Sequence, residues 1–155
     1  AVVSEVIGDN TQGLVDLIHD LEPGQSPFVR LRSIVQTVGL PRELIEWMAL
    51  IHGHGAHDEP GALMFERIVW ADKTACLEET ISDRLPADVD ELYLASLANT
   101  IMNTVASAIR FWALNRDLGE PLDDAAVVDF NHQVDRALAF AESGWTPPAG
   151  NVAGD

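Results

Sequence analysis

The chain has 155 residues, and 47% of them are hydrophobic, which suits a single domain with a core and is too many for a disordered segment. Its 25 acidic and 9 basic residues give a formal net charge of −16, a field that repels phosphate backbones and anionic lipids. Composition therefore argues against nucleic-acid and membrane partners. One cysteine excludes an internal disulfide and a cysteine-rich zinc site.

The first half of the chain predicts four helices, which lie within the stretches 9–24, 26–41, 40–55 and 60–84. Apolar residues recur there every three or four positions, between helix-breaking glycines and prolines. In the second helix, Ser26 is the predicted N-cap and Pro27 the first helical residue, where a missing N–H costs nothing. The predicted buried stripes are Leu14, Leu17, Ile18 and Leu21; Phe28, Leu31, Ile34, Val35 and Val38; Leu44, Ile45, Trp47, Met48 and Ile51; and Met64, Ile68, Ala71 and Ala75, with Leu77 and Ile81 alongside the last.

Two longer helices follow, over residues 88–117 and 123–144. The short turn "GEPLD" between them predicts a long antiparallel hairpin. Because such a hairpin is long and carries apolar and small residues on more than one face, we expect a homodimer formed through it. The whole pattern predicts one all-α domain of about six helices over residues 1–144 and a flexible tail over 145–155. The stripes of the last two helices are Leu94, Leu97, Ile101, Val105, Ile109 and Trp112, then Val127, Phe130, Val134, Leu138 and Ala141.

The cellular location is predicted from three further features of the sequence. The chain has one thiol, no signal-peptide pattern at its start and no run of about 18 apolar residues. These features predict a cytoplasmic protein.

Three of the five histidines lie close together in "LIHGHGAHDEP", where His52, His54 and His57 follow the end of a predicted helix. Imidazoles with a neighbouring carboxylate suit Zn²⁺, Ni²⁺, Mn²⁺ or Fe²⁺. The alternative is a hydrated helix end, at which positive histidines lie near the last carbonyls. The spacing does not choose between these two interpretations.

Other stretches place a His-Asp pair at the end of an apolar helix, "LIHD", and an aspartate within "ALMFERIVWADKTACL". With "LRSIVQTVGLPRELIEWMALIHGH" between them, residues 14–80 resemble the middle of an HD-superfamily domain. The resemblance implies that His19, Asp20 and Asp72 bind a divalent metal (Mn, Fe, Ni or Zn). It also implies that His52 or His54 contacts the metal or a substrate phosphate, and that the fold hydrolyses a small phosphorylated or nucleotide-like molecule.

The family pattern begins with a further histidine on a preceding helix, and none of the 18 residues before His19 is a histidine. Either His57 or His132 takes that place in space, or the chain keeps the scaffold without the full catalytic centre. We predict the second: a helical binding or interaction module with a small-molecule or protein partner, the phosphohydrolase being the alternative. The acidic stretches "CLEETISD" and "DVDE" are only distantly similar to magnesium-dependent nucleotide pyrophosphatases, because their spacing differs.

Overall fold

The computed structural model describes residues 24–52, 60–84, 87–116 and 120–147. They form five helices, and none of these residues lies in a strand, which confirms the all-α prediction. The helix predicted over 9–24 lies outside the described residues, and the division into a domain and a tail at residue 144 stays a prediction. The helices are α1 (Pro27–Thr37), α2 (Arg42–His52), α3 (Pro60–Arg84), α4 (Glu91–Leu114) and α5 (Asp124–Glu142).

Three of the helices begin at a side chain that caps the first turn. Ser26 accepts a hydrogen bond from the N–H of Phe28, and Pro27 is the first residue of α1, as predicted. Asp90 and Asp123 cap α4 and α5 in the same way. Each cap satisfies an amide that has no partner within its helix, so short polar residues set these starting points.

The centre of the fold is α4, which packs against α2, α3 and α5, while α5 also packs against α1 and α2. Near one end of the α4–α5 contact, the rings of Trp112 and Phe130 meet edge to face with centroids 5.0 Å apart. Of the predicted stripes on these two helices, all but Val105 and Val127 are buried, and those two are half-buried. Burial of these side chains is the main source of stability.

Among the described helices, α4 alone has the length and apolar composition to cross a bilayer. In its most apolar 18-residue window, 44% of the residues are buried against the rest of the protein. A central core helix has the same composition, because it must be apolar on several faces.

The predicted stripes of α1 and α3 are each wrong in part. On α1, Phe28, Leu31 and Val35 pack against the core, whereas Ile34 is exposed and Val38 is 82% exposed. On α3 the four residues of the predicted stripe are exposed, because the helix turns Trp70 and Leu77 inwards; of these two, Leu77 was predicted to lie alongside the stripe. The exposed residues are Met64, Ile68, Ala71 and Ala75, called the α3 stripe below.

A hydrogen bond between the backbone that follows α1 and a side chain of α5 joins these two helices. Gly39 has a positive φ of 74°, and the amide of Leu40 donates to Oδ1 of Asn131 at 2.7 Å. The Nδ2 of Asn131 in turn donates to the carbonyl of Val127, which fixes the orientation of the amide. A Cβ at position 39 would lie 3.2 Å from Asn131, so this turn requires glycine for both conformation and space.

We therefore expect Gly39→Ala to lower the free energy of unfolding by about 2 kcal/mol, since alanine meets both the left-handed φ and the Asn131 contact. Gly144→Ala is the matched control, because Gly144 also has a positive φ, of 68°, but has open space around its Cβ position. The control should lose only about 1 kcal/mol. Urea denaturation followed by circular dichroism measures both, and equal losses would contradict the role of Asn131.

Candidate functional site

Two of the six predicted metal ligands, His52 and Asp72, lie in the described part of the chain. His52 is the last residue of α2 and is 1% exposed, with its ring centroid 6.0 Å from that of Trp70 on α3. It is therefore packed inside the protein, which differs from the hydrated helix end considered above. His19, Asp20, His54 and His57 lie outside the described residues.

Asp72 lies on α3 but not on the side that contacts His52. It is exposed, and it follows Trp70 by two residues, which places it about 200° around the helix axis. The structure thus does not bring the two described candidates to one place. His132, the other proposed substitute ligand, is exposed on α5.

Within the described residues, no group of three or more His, Cys, Asp or Glu side chains is arranged to hold a metal ion. The divalent-metal site inferred from the family resemblance rests mainly on residues outside this part of the chain. It stays a prediction.

A partly buried charge network, which sequence reasoning missed, joins α1 to α5. The Arg32 Nε donates to Asp135 at 2.9 Å, and its Nη1 donates to Glu142 at 2.8 Å. Gln36 donates a further hydrogen bond to Asp135, at 3.1 Å. Because Asp135 is 103 positions from Arg32, no local spacing in the sequence could have revealed the pair.

The network fixes the charge of Asp135. Burial raises the pKa of this carboxyl, and the hydrogen bonds from Arg32 and Gln36 together outweigh that effect, so its pKa lies below the ordinary value of 3.8. The hydrogen bonds from Arg32 to Asp135 and Glu142 raise the pKa of the Arg32 guanidinium. Asp135 is already engaged by a cation and an amide, so its role is structural rather than catalytic.

Two exposed features are left as candidate binding surfaces. The first is the α3 stripe, in which Met64 is 67% and Ile68 54% exposed. Large apolar side chains grouped on one side of a helix and left in water are typical of an interaction surface. The stripe itself was visible in the sequence, but its position outside the core was not.

The second feature is a groove between α4 and the turn that follows α5, called the α4 groove below. Its volume is about 400 Å³, within the range of small-molecule sites. One wall is polar and comes from α4, and the other contains two aromatic rings. The lining residues are Asn99, Thr100, Asn103, Thr104, Ser107, Ala137, Phe140 and Trp145.

Sequence reasoning missed the α4 groove, although one signal was present. Asn99, Asn103 and Ser107 recur every four residues on a helix that is otherwise strongly apolar. Such a line of polar residues indicates a solvent-exposed side of the helix. The aromatic wall, however, comes from the far end of α5 and lies next to α4 only in the folded protein.

No protein-family model, curated protein or solved structure is significantly similar to the chain.

The Arg32–Asp135 pair gives a stability that depends on pH. Because the pKa of Asp135 is lower in the folded protein, the contribution of its carboxylate is complete above the ordinary pKa of 3.8 and is lost as pH falls through the folded value. We expect Asp135→Asn to lower the free energy of unfolding by about 1 kcal/mol at neutral pH, and by less in acid.

Urea denaturation at several pH values, from neutral to below the folded pKa, measures this difference. Asp124→Asn is the control, since Asp124 pairs with Arg42 while fully exposed. The control should show a much smaller difference that acid changes little. A constant gap between the native chain and Asp135→Asn across the acid range would contradict the assignment.

Proposed function

We propose that the chain is a helical interaction module that self-associates through the α3 stripe. The observation that carries the proposal is the exposure of all four stripe residues in a helix whose other side packs on α4. Their spacing of four, three and four residues is that of the contact positions of paired helices. The occupant we propose is a second copy of this chain.

The α3 stripe is complementary to itself when two copies pair antiparallel. A two-fold axis between residues 69 and 70 puts Met64 opposite Ala75 of the second copy, and Ile68 opposite Ala71. Each large side chain then meets a small one, as close packing of two helices requires. Every contact occurs twice, which is the property of a two-fold symmetric interface.

Charge also favours this surface over the rest of the molecule. Residues 60–77 contain two bases, Arg67 and Lys73, and two acids, Glu66 and Asp72, so this segment has no net charge in a chain of −16. Two copies that approach elsewhere bring like charges together, which costs free energy. The neutral half of α3 is thus the place where self-association meets the least repulsion.

The number of helices and the pairing of α4 with α5 are also part of our proposal. We propose a sixth helix before residue 24 and an antiparallel pairing of α4 with α5 as a long hairpin. The hairpin is supported by the contact of Trp112 with Phe130, and by the α4 groove, which Asn103 of α4 and Phe140 of α5 line together. The dimer is assigned to the α3 stripe rather than to this hairpin because the groove occupies part of the hairpin's outer face.

We expect Ile68→Glu to abolish the dimer, raising its dissociation constant by at least about 100-fold, because a glutamate would be buried against Ala71 of the second copy. Sedimentation equilibrium from about 1 to 100 µM should give twice the monomer mass of 16.9 kDa for the native chain and the monomer mass for the variant. Val128→Glu, at a more exposed site on α5, should leave the dimer intact.

A charge pair tests the register. Since position 68 faces position 71 of the other copy, adding Ala71→Lys to Ile68→Glu should restore the dimer through two new ion pairs. A native chain that is monomeric at every concentration would refute the proposal, as would a dimer retained by Ile68→Glu. A monomer that Ile68→Glu destabilises would instead assign the stripe to residues 9–24 of the same chain.

The second candidate is the divalent-metal phosphohydrolase implied by the HD-like resemblance, favoured by the co-occurrence of His19, Asp20 and Asp72 with a histidine at the end of α2. We expect the protein, purified without a histidine tag, to contain only substoichiometric metal, because Asp72 points away from His52. Elemental analysis measures the metal. Stoichiometric Mn, Fe, Ni or Zn that is lost in both His19→Ala and Asp72→Ala would overturn this expectation and favour the enzyme.

A further inference from the structure

One wall of the α4 groove is formed by α4, and it presents both hydrogen-bond donors and acceptors. The hydroxyl of Ser107 donates to the carbonyl of Asn103, which leaves its lone pairs to accept. The Nδ2 of Asn99 donates to the carbonyl of Ala95, which leaves its Oδ1 to accept. The Asn103 carboxamide and the Thr100 and Thr104 hydroxyls add donors. The wall thus suits a ligand with several hydroxyl groups.

The opposite wall holds an aromatic ring in an unusual position. The amides of Gly144 and Trp145 donate to the carbonyls of Ala141 and Phe140 at 3.1 and 2.8 Å, which closes the end of α5. Trp145 itself has a φ of 55°, a left-handed conformation that bulky residues rarely adopt. The residue is nevertheless 59% exposed, so burial within the chain does not account for the strain.

None of the eight lining residues is charged, although the chain carries −16 overall. An anionic ligand would find no base to neutralise it, and it would be repelled by the surrounding field. A cationic ligand would be attracted by the field but would find no carboxylate in the wall. The groove therefore selects a neutral ligand that has both hydroxyl groups and an apolar face.

We propose that the α4 groove binds a neutral saccharide, with one sugar face stacked on Trp145 and its hydroxyls bonded to Asn99, Asn103 and Ser107. A pyranose ring has C–H groups that lie against an aromatic face and a rim of hydroxyls that both donate and accept. These two features match the two walls. This site is separate from the α3 stripe and does not depend on self-association.

The test is a titration of the ¹⁵N-labelled chain with glucose, galactose, N-acetylglucosamine, maltose, cellobiose and lactose, each to about 20 mM, the range in which millimolar affinity is measurable. Loss of one indole signal in Trp145→Phe assigns that signal to Trp145. At least one sugar should shift the Trp145 indole and the carboxamides of Asn99 and Asn103 along a common saturation curve.

Two variants locate the binding. Trp145→Ala and Asn103→Ala should each weaken the affinity about tenfold, through loss of stacking and of hydrogen bonds respectively. Trp145 follows the last turn of α5 and Asn103 is exposed, so neither change removes a core contact. Phe111→Ala is the matched control, since Phe111 is an exposed aromatic residue of α4 outside the groove, and it should bind as the native chain does.

The proposal is overturned if none of the sugars shifts the groove signals, or if both groove variants bind as tightly as the native chain. Choline is titrated in parallel, because an exposed ring in an acidic field could also attract an organic cation. Saturable shifts with choline and none with the sugars would assign the groove to cations instead.

Discussion

The rest of the structure depends on one requirement: α4, the most apolar helix described, must be covered on several sides at once. Its stripe from Leu94 to Trp112 runs the length of the helix, and exposing it would cost more free energy than any polar contact in the fold provides. Helices α2, α3 and α5 meet this requirement from different sides. The packing of these helices on α4 therefore determines which of their residues face solvent.

That order of dependence explains which parts of the fold were predictable. The start of α1 follows from Ser26 and Pro27, and the bounds of α3 were predicted to the residue, because caps and helix breakers act locally. The stripes of α4 and α5 were predicted well because their large apolar residues recur every three or four positions over several turns. Such information is contained in a few consecutive turns.

The α3 stripe shows why the same reasoning fails elsewhere. On α3 apolar residues occur on two sides, and spacing alone does not say which side meets α4; Trp70 and Leu77 do, and Met64 and Ile68 do not. The candidate sites were less predictable still. The α4 groove and the Arg32–Asp135 pair join residues far apart in sequence, and nothing in one segment indicates its partner in another.

The two candidate surfaces share one electrostatic property. Both the α3 stripe and the lining of the α4 groove are uncharged, although acids outnumber bases by 25 to 9 in the chain. An acidic surface keeps molecules apart and soluble, while an uncharged patch within it is where close contact is least opposed. The composition that at first indicated only solubility thus also limits where recognition can occur.

The way α1 is attached determines how the protein opens. This helix has no fully buried residue. The half-buried Phe28, Leu31 and Val35 and polar contacts to α5 hold it in place, and Arg32 and Asp135 are separated by 103 positions. Because so long a segment separates α1 from α5, we expect these two helices to meet late in folding. Helices α4 and α5 are neighbours in sequence and should pair earlier. In the native state, we therefore expect α1 to open locally at a free energy below that of global unfolding. Each such opening would uncover Phe28, Leu31 and the apolar side of α5, so amide exchange within α1 would report it.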